Sequence, residues 1–221
     1  MLTLVIGNKN YSSWSLRPWI YLKQRGIAFD EVNVSLYQGD YKAQLARYTP
    51  AGKVPVLVDG AATVWDSLAI LEHLSERYPD KPGWPAAPRA RALARSVSAE
   101  MHAGFQALRQ NLCMNVRKVY PWRPAGSANA WPPEVSTEVA RIEAAWEQCR
   151  ALRSGDGPFL FGQYSIADAM YAPVAWRLKG YSVPLGPGAT AYVEAMLALP
   201  AMREWQAAAV AEPITLPQFE R

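Results

Sequence analysis

Two short polar segments stand where helices are predicted to begin, and each could hold an anion. Ser12 and Ser13 come just before a helix predicted over residues 16–25. Asp66 and Ser67 come just before a second series of apolar residues at helical spacing. The first turn of a helix leaves backbone N–H groups without partners and carries a partial positive charge. A serine hydroxyl adds another donor, so both segments predict anion binding, with plain helix capping as the alternative.

The elements that would position these segments alternate between strand and helix over the first 80 residues. Apolar or alternating residues predict strands over 2–6, 28–34, 54–58 and 63–65, and helical spacing predicts helices over 16–25, 41–47 and from 66 onward. Gly26 is typical of a helix end, and Asp59-Gly60 is typical of a hairpin turn. The predicted order is βαβαββα, which is an α/β fold.

The character of the chain changes after a Pro- and Gly-containing segment at 79–85, which cannot continue a helix. Helices are predicted over 89–119, 134–153, 167–179, 191–198 and 202–210, with a Pro- and Trp-rich loop over 120–133. We therefore expect two domains, an α/β domain over residues 1–79 and an all-α domain over residues 86–221.

Charge and composition argue against several classes of partner. The chain has 23 basic and 19 acidic residues and a net charge of +4. It contains no run of about five or more like charges and no nucleic-acid motif, so no nucleic-acid partner is expected. No segment approaches the roughly 18 apolar residues of a membrane span. The two cysteines, Cys113 and Cys149, and an N-terminus that resembles a first strand predict a cytoplasmic protein with both thiols in the core. No metal ion is expected.

Three motifs occur in order along the chain. They are Tyr-Ser-Ser-Trp-Ser-Leu-Arg at 11–17, Thr-Pro-Ala-Gly-Lys-Val-Pro-Val-Leu at 49–57 followed by Asp66-Ser67, and Gly-Gln-Tyr-Ser-Ile-Ala-Asp at 162–168. Together they resemble the cytosolic glutathione S-transferase family, over nearly the whole chain. The Ser-Ser-x-Ser-x-Arg pattern is similar to the zeta class and related proteobacterial members. The resemblance implies a thioredoxin-like N-terminal domain, an all-helical C-terminal domain and a homodimer.

The resemblance also implies that glutathione is the co-substrate and that Lys53, Val54, Pro55, Asp66 and Ser67 bind it. In the family the Val54–Pro55 bond is cis and lets the backbone of Val54 pair with the peptide like an added strand. The helix start at Ser67 would hold the γ-glutamyl carboxylate. The family more often has Glu or Gln where this chain has Asp66. An edge-strand proline and a simple helix cap are the alternatives.

Ser12, with Ser13 as the alternative, is predicted to activate the glutathione thiol. A free thiol has a pKa near 8.5, so only about 3% is thiolate at pH 7. A serine hydroxyl is too weak an acid to serve as the base. It can donate a hydrogen bond to the sulfur, worth about 1.5–3 kcal/mol, which lowers the thiol pKa by about one to two units. Arg17 would fix this loop or add positive potential, unless it is a surface residue.

The electrophile is predicted to meet Trp14 and side chains of the second domain. The zeta-class pattern has Cys where this chain has Trp14, which weakens an isomerase interpretation and places an apolar plate beside the sulfur. His102, Phe105 and Arg109 would share one face of the helix predicted over 89–119. Core packing or a solvated surface would also explain that face. Two loop residues, Tyr120 and Trp122, are further candidates.

These features favour a glutathione transferase that conjugates glutathione to a hydrophobic electrophile. A glutathione-dependent cis–trans isomerase, similar to maleylacetoacetate isomerase, would bind the same co-substrate and regenerate it. A non-catalytic binding module with the same fold is a third hypothesis, because fold does not fix function. A disulfide reductase would need a cysteine near Ser12, and residues 1–80 contain none.

Overall fold

The computed structural model describes residues 1–220. Its first part contains β1 (Leu2–Ile6), α1 (Ser13–Gln24), β2 (Phe29–Asn33), α2 (Tyr41–Ala46), β3 (Val56–Asp59), β4 (Ala62–Trp65) and α3 (Ser67–Arg77). The predicted order βαβαββα is confirmed. Helix α1 begins earlier than expected, so Pro18 lies inside it and leaves the carbonyl of Trp14 without its helical donor.

The four strands form one mixed sheet in the order β2-β1-β3-β4. Strand β1 pairs in parallel with β2 and antiparallel with β3, so that Leu4 lies beside both Glu31 and Leu57. Leu4 belongs to the main core, whereas its neighbour Val5 packs on the other face against a small cluster that includes Leu45 of α2. Successive residues of a strand point to opposite faces. Because both faces of β1 are covered, the loop that follows it is anchored to a rigid element.

The second part is helical, with a 3₁₀ turn at its end. It contains α4 (Pro88–Ala103), α5 (Gln106–Asn111), α6 (Pro133–Arg150), α7 (Ile166–Gly180), α8 (Pro187–Ala198), α9 (Pro200–Ala211) and the 3₁₀ turn Pro217–Phe219. Helix α7 is central: all of its residues except Lys179 are buried, and it packs against α1, α4 and α8. None of the helices described here combines the length and apolar composition needed to cross a bilayer.

The start of α7 has a structural role. The carboxylate of Asp168 accepts hydrogen bonds from the backbone N–H and the hydroxyl of Ser165, at 2.8 and 2.9 Å. It also accepts from the N–H of Leu160 at 3.0 Å and from the hydroxyl of Tyr192 at 3.1 Å. Burial is the larger influence and raises the pKa of Asp168 to about 6. These groups join α7 to its neighbours and lie away from both cavities described below.

The prediction of one continuous helix over 89–119 is wrong. The helix is interrupted at Gly104 and Phe105, and the φ of Phe105, 58°, lies in the left-handed region. Residues 112–132 are irregular. Side chains satisfy the helix ends created by this break. Arg109 donates to the carbonyls of Gly104 and His102, at 2.9 and 3.0 Å. The break therefore removes the shared helical face on which His102, Phe105 and Arg109 were grouped.

Candidate functional site

The loop between β1 and α1, residues 7–12, ends at the predicted catalytic serine. Ser12 is the N-cap of α1, and its Oγ lies 2.7 Å from the Oγ of Ser15. Gly7 donates its N–H to that same Ser15 oxygen at 3.0 Å. Because Ser15 is fully buried, its hydroxyl proton needs a partner, and within residues 1–220 Ser12 is the acceptor that contacts it. On this argument we assign Ser15 as the donor and Ser12 as the acceptor, although the distance alone fits either direction, and this assignment leaves the Ser12 proton for a ligand.

Ser13 is held differently. Its hydroxyl oxygen accepts a hydrogen bond from Nη2 of Arg177, a buried residue of α7, at 3.2 Å. Both serines line the same cavity. Ser12 is thus oriented by a neutral chain of hydroxyl groups, and Ser13 by a guanidinium from the second half of the molecule.

Arg17 lies beneath the second predicted anion site. Its side chain is 2% exposed, so the interpretation as a surface arginine is wrong. Nη1 of Arg17 donates to the Oγ of Ser67 at 3.2 Å, which occupies a lone pair of that hydroxyl and leaves its proton free to donate. Burial, followed by the charges of Arg109 and Arg177, lowers the pKa of Arg17 to about 9. The group remains cationic at neutral pH.

One cavity, which we call the hairpin cavity, has a volume of about 580 Å³ and lies against the β3–β4 hairpin. It is lined by Trp14 and seven further residues, Ala51, Lys53, Val54, Pro55, Trp65, Asp66 and Ser67. The Val54–Pro55 peptide bond is cis, and strand pairing of β3 begins only at Val56. The backbone N–H and C=O of Val54 have no hydrogen-bond partner among residues 1–220. They present an open edge that can pair with an extended peptide.

The start of α3 offers fewer free donors than its sequence predicts. Asp66, with a φ of 76°, accepts with Oδ1 from the N–H groups of Leu68 and Ala69, at 2.9 and 3.3 Å. In the described part of the chain, the N–H of Ser67 has no partner and stands beside the Ser67 hydroxyl. Lys53 is exposed and belongs to none of the ion pairs within residues 1–220. One N–H, one hydroxyl and one ammonium are therefore available to an anion.

Trp14 lines both the hairpin cavity and a second cavity, as do Lys53 and Val54. The guanidinium carbons of Arg17 and Arg109 lie 4.3 and 4.7 Å from its ring centroid. His102 meets the same ring edge-on, with centroids 5.3 Å apart. Such cation–π contacts hold the indole between two fixed charges. The expected role of Trp14 as an apolar plate beside the glutathione sulfur stays a prediction.

The second cavity, which we call the interdomain cavity, has a volume of about 540 Å³. Ser12, Ser13 and Trp14 line it from the first domain, and one wall carries three aromatic residues, Tyr37, Tyr41 and Phe219. Two arginines, Arg109 and Arg177, line it as well.

These arginines make the interdomain cavity cationic. Burial lowers the pKa of Arg177 to about 10 and also lowers the pKa of Arg109, but both stay charged at neutral pH. No ion pair described within residues 1–220 contains either of them. The cavity therefore combines an apolar wall with two charged arginines that form no ion pair within residues 1–220.

His102 lines the interdomain cavity and links it to the start of α3, since its Nε2 lies 3.2 Å from Oδ2 of Asp66. Burial is the main influence on its pKa, which is lowered from the ordinary value despite the nearby carboxylate. Both carboxylate oxygens of Asp66 are thus engaged, one at the helix start and one at His102.

Phe105, Tyr120 and Trp122 are not brought to either cavity. Phe105 is 6% exposed and packs in the main core, because the break at Gly104 turns it away from the face that carries His102. Tyr120 stacks on Tyr181 at a centroid distance of 4.8 Å, and Trp122 packs against the core. We do not include these three residues in the site proposed below.

Several residues of the site received no role from sequence alone: Ser15, Arg177 and the aromatic residues Tyr37, Tyr41 and Phe219. Ser15 stands three residues after Ser12, a spacing that brings side chains together at a helix start, and this signal was available. Arg177 lies in a buried helix and approaches Ser13 only through the packing of α7 on α1. No local pattern marks it. Cys113, predicted to be a core residue, is buried but also lines the interdomain cavity.

Comparisons with known proteins agree with this geometry. Residues 11–77 match the glutathione S-transferase N-terminal domain family, and residues 121–208 match the glutathione S-transferase C-terminal domain family. A zeta-class glutathione S-transferase of Euphorbia esula is 36% identical over 166 residues, covering 73% of this chain and 70% of the relative. Maleylacetoacetate isomerase of Rattus norvegicus is 29% identical over 180 residues, covering 80% of this chain and 78% of the relative.

A solved structure shares the whole architecture. The glutathione transferase homologue from Burkholderia gl BGR1, which has glutathione bound, superposes with a TM-score of 0.68 at 25% identity, covering 96% of this chain and 99% of that chain. The chain belongs to the glutathione S-transferase family. Its activity is glutathione-dependent. The domain limits 1–79 and 86–221 stay a prediction.

Proposed function

We propose that this protein is a glutathione transferase in which Ser12 activates the glutathione thiol for conjugation to a hydrophobic electrophile. The observation that carries the proposal is the chain of hydrogen bonds from Gly7 through Ser15 to Ser12. It leaves one hydroxyl proton for the interdomain cavity, at the N-terminus of a helix. That is the arrangement which stabilises an anion beside the serine.

The hairpin cavity fits the peptide part of glutathione. The unpaired backbone of Val54 would hold the peptide like a neighbouring strand, and Ser67 would donate its N–H and its hydroxyl to the γ-glutamyl carboxylate. Lys53 would face the other carboxylate. The Burkholderia structure has glutathione bound, which supports glutathione as the ligand of this chain.

The chemistry supplied by glutathione is its thiol. Ser12 would donate to the sulfur and, with the start of α1, lower its pKa by about one to two units. Asp66 is committed to the helix start and to His102, so we assign it to positioning α3.

The aromatic wall and the arginines together suggest the kind of electrophile. Tyr37, Tyr41 and Phe219 would contact an apolar body, while Arg109 and Arg177 would attract a carboxylate or another anionic substituent. Trp14 would separate this molecule from the peptide part of glutathione.

A second candidate is cis–trans isomerisation of a carboxylate-bearing substrate. The observation in its favour is the positive charge of Arg109 and Arg177, which no described carboxylate compensates by an ion pair. The relative from Rattus norvegicus carries this activity in its name. Trp14, which occupies the position of a cysteine in the zeta-class pattern, argues for conjugation.

One set of measurements tests both candidates. Calorimetry with glutathione should show binding, and its absence at about 10 mM would overturn the proposal. Product analysis by NMR would then follow a small maleyl acid and an aryl halide. Net consumption of glutathione supports conjugation. Conversion of the maleyl acid to its trans isomer without consumption supports isomerisation, and neither product would indicate a binding module.

We also propose a cytoplasmic homodimer. Cys113 and Cys149 are buried and neither forms a disulfide, which suits a reducing compartment. The dimer rests on the family resemblance, and sedimentation at micromolar concentration tests it. A species near 24.5 kDa, the mass of one chain, would contradict the dimer.

A further inference from the structure

The segment that follows α9, residues 212–220, crosses the molecule and reaches the loop that carries Ser12. We call it the strap. Leu216 and Phe219 of the strap line the interdomain cavity. Phe219 also contacts the rings of Tyr11 and Tyr37, with centroids 5.6 and 5.8 Å apart. The strap therefore forms part of the site and lies more than 190 residues from Ser12 in sequence.

The first anchor of the strap is the carboxylate of Glu212. It accepts hydrogen bonds from the backbone N–H groups of Lys9 and Asn10, at 2.6 and 3.1 Å. Two consecutive N–H groups on one carboxylate fix the orientation of the peptide plane between them. The carbonyl of Glu212 is held in turn by Arg117, whose Nη1 donates to it at 2.8 Å.

The second anchor is the hydroxyl of Tyr11, the residue immediately before Ser12. It donates to Oε1 of Glu220 at 2.6 Å and accepts from the N–H of Leu216 at 3.2 Å and from Nη2 of Arg117 at 2.9 Å. Nη2 of Arg117 also donates to the carbonyl of Ile214 at 2.7 Å. Three hydrogen bonds at one phenolic oxygen leave Tyr11 a single orientation.

We propose that the strap positions Ser12, with Glu212 and the Tyr11–Glu220 pair as the positioning residues. The two anchors act on Lys9, Asn10 and Tyr11, which directly precede Ser12 in the loop. A hydrogen bond to a sulfur anion depends steeply on distance and angle, so a small movement of this loop weakens it. The inference deepens the proposed function and rests on it, because it concerns the geometry of the same serine.

The variants Glu212→Gln and Tyr11→Phe test the strap in the full chain. Each should raise the pKa of the bound glutathione thiol by about one unit, which lowers the rate of conjugation at pH 7 about fivefold. The dissociation constant of glutathione should change less than about twofold, because the hairpin cavity is untouched. Thiolate absorbance against pH gives the thiol pKa. Hydrogen exchange of the peptide that contains residues 7–12 should become faster in both variants.

Together, Glu212→Gln and Tyr11→Phe distinguish an effect of the position of Ser12 on the thiol pKa from an effect of the charge of Glu212. Removing the negative charge of Glu212 would by itself lower the pKa of a nearby thiol, so a rise must come from lost positioning. Tyr11→Phe leaves all these carboxylates in place and makes the smaller structural change, so it decides the outcome if Glu212→Gln unfolds. Glu143→Gln is the matched control, since Glu143 also accepts a backbone N–H, that of Gly186 at 2.8 Å, away from the loop.

An unchanged thiol pKa together with unchanged exchange of residues 7–12 in Tyr11→Phe would overturn the inference. Faster exchange in Glu143→Gln, equal to that in the strap variants, would overturn it as well. If the wild type binds no glutathione, the proposed function fails, and the exchange measurement alone then decides whether the strap fixes the loop.

Discussion

The two cavities of this protein are of similar volume but are built in different ways. The hairpin cavity takes all its lining except Trp14 from residues 51–67, which are local in sequence. The interdomain cavity takes its lining from segments scattered between Asn8 and Phe219. A local cavity can be specified by one motif, whereas a scattered one requires the whole fold to be in place.

The chemical groups also differ between the cavities. The hairpin cavity offers two backbone features, the unpaired edge of Val54 and the N–H of Ser67, together with the Ser67 hydroxyl and the Lys53 ammonium. The interdomain cavity offers side chains, among them Ser12, Tyr37 and Arg177. The first is thus suited to one constant ligand, and the second to a ligand that changes when side chains change. The following predictions test whether the two cavities have these separate roles, and they run from the largest expected effect to the smallest.

Ser12→Ala should have the largest effect and should act on chemistry alone. Loss of the hydroxyl donor should raise the pKa of the bound thiol by about one to two units and reduce conjugation at neutral pH about tenfold or more. Part of the rate should return at high pH, where the thiol ionises without help. Thiolate absorbance of the complex against pH measures the shift.

Ser13→Ala is the matched control for the Ser12 variant, because both hydroxyls line the same cavity. We expect a smaller shift of the thiol pKa from it. A normal titration in Ser12→Ala with a raised pKa in Ser13→Ala would assign the role to Ser13. No shift in either variant would leave the N–H groups at the start of α1 as the activating groups.

Ser67→Ala should weaken glutathione binding and have little effect on the chemical step, the reverse of what we expect for Ser12→Ala. Loss of a hydrogen bond to a charged carboxylate, worth about 1.5 kcal/mol or more, should weaken glutathione binding by about tenfold or more. The rate constant at saturating glutathione should stay close to that of the wild type. Calorimetry measures the dissociation constant. Ser75→Ala, which removes another hydroxyl of α3 that accepts a hydrogen bond from Gly83, is the control, and an equal loss there would contradict the assignment.

The same contrast explains how much the sequence could predict. The order of elements and the helix start at Ser67 follow from local patterns, the cis Val54–Pro55 bond is implied by the family resemblance, and the structure contains all three. The helix predicted over 89–119 failed because its break is stabilised from outside: Glu138 of α6 accepts the first free N–H groups of α5, and no pattern within that stretch shows this.

The long-range contacts around both cavities were hidden for a similar reason. Arg17 resembles any helical arginine in the sequence, and only folding buries it beneath Ser67. Arg177 and Glu212 lie more than 160 and 190 residues from the loop they contact. Such contacts depend on tertiary packing, which periodicity does not encode.

Ser15→Ala should produce a smaller effect in the same direction as Ser12→Ala. Without the Ser15 hydroxyl, Ser12 keeps its donor but loses the contact that orients it. We expect the thiol pKa to rise by about half a unit and the neutral-pH rate to fall about twofold. The double variant should resemble Ser12→Ala alone, because both residues act through one hydrogen bond. Additive effects in the double variant would show that Ser15 acts by another route.

The smallest expected effect concerns the Asp66–His102 pair, which joins the two cavities. Burial lowers the pKa of His102, so the unfolded chain takes up a proton on this residue at a higher pH than the folded chain does. Protonation therefore favours unfolding, and the contribution of His102 to stability is present above its unfolded pKa of about 6.5 and is lost as the pH falls below it.

His102→Gln should remove this part of the pH dependence. The midpoint of thermal unfolding of the wild type should fall between about pH 7.5 and about pH 5.5 by more than that of the variant. His73→Gln replaces the other histidine of the chain, which contacts Asp59 in the first domain, and controls for the loss of an imidazole elsewhere. If the fall is as large in His102→Gln as in the wild type, the pair between the cavities does not couple their stability to protonation. A wild-type midpoint that rises toward low pH, with His102→Gln flat, would mean that Asp66 outweighs burial and holds the imidazolium in the folded protein.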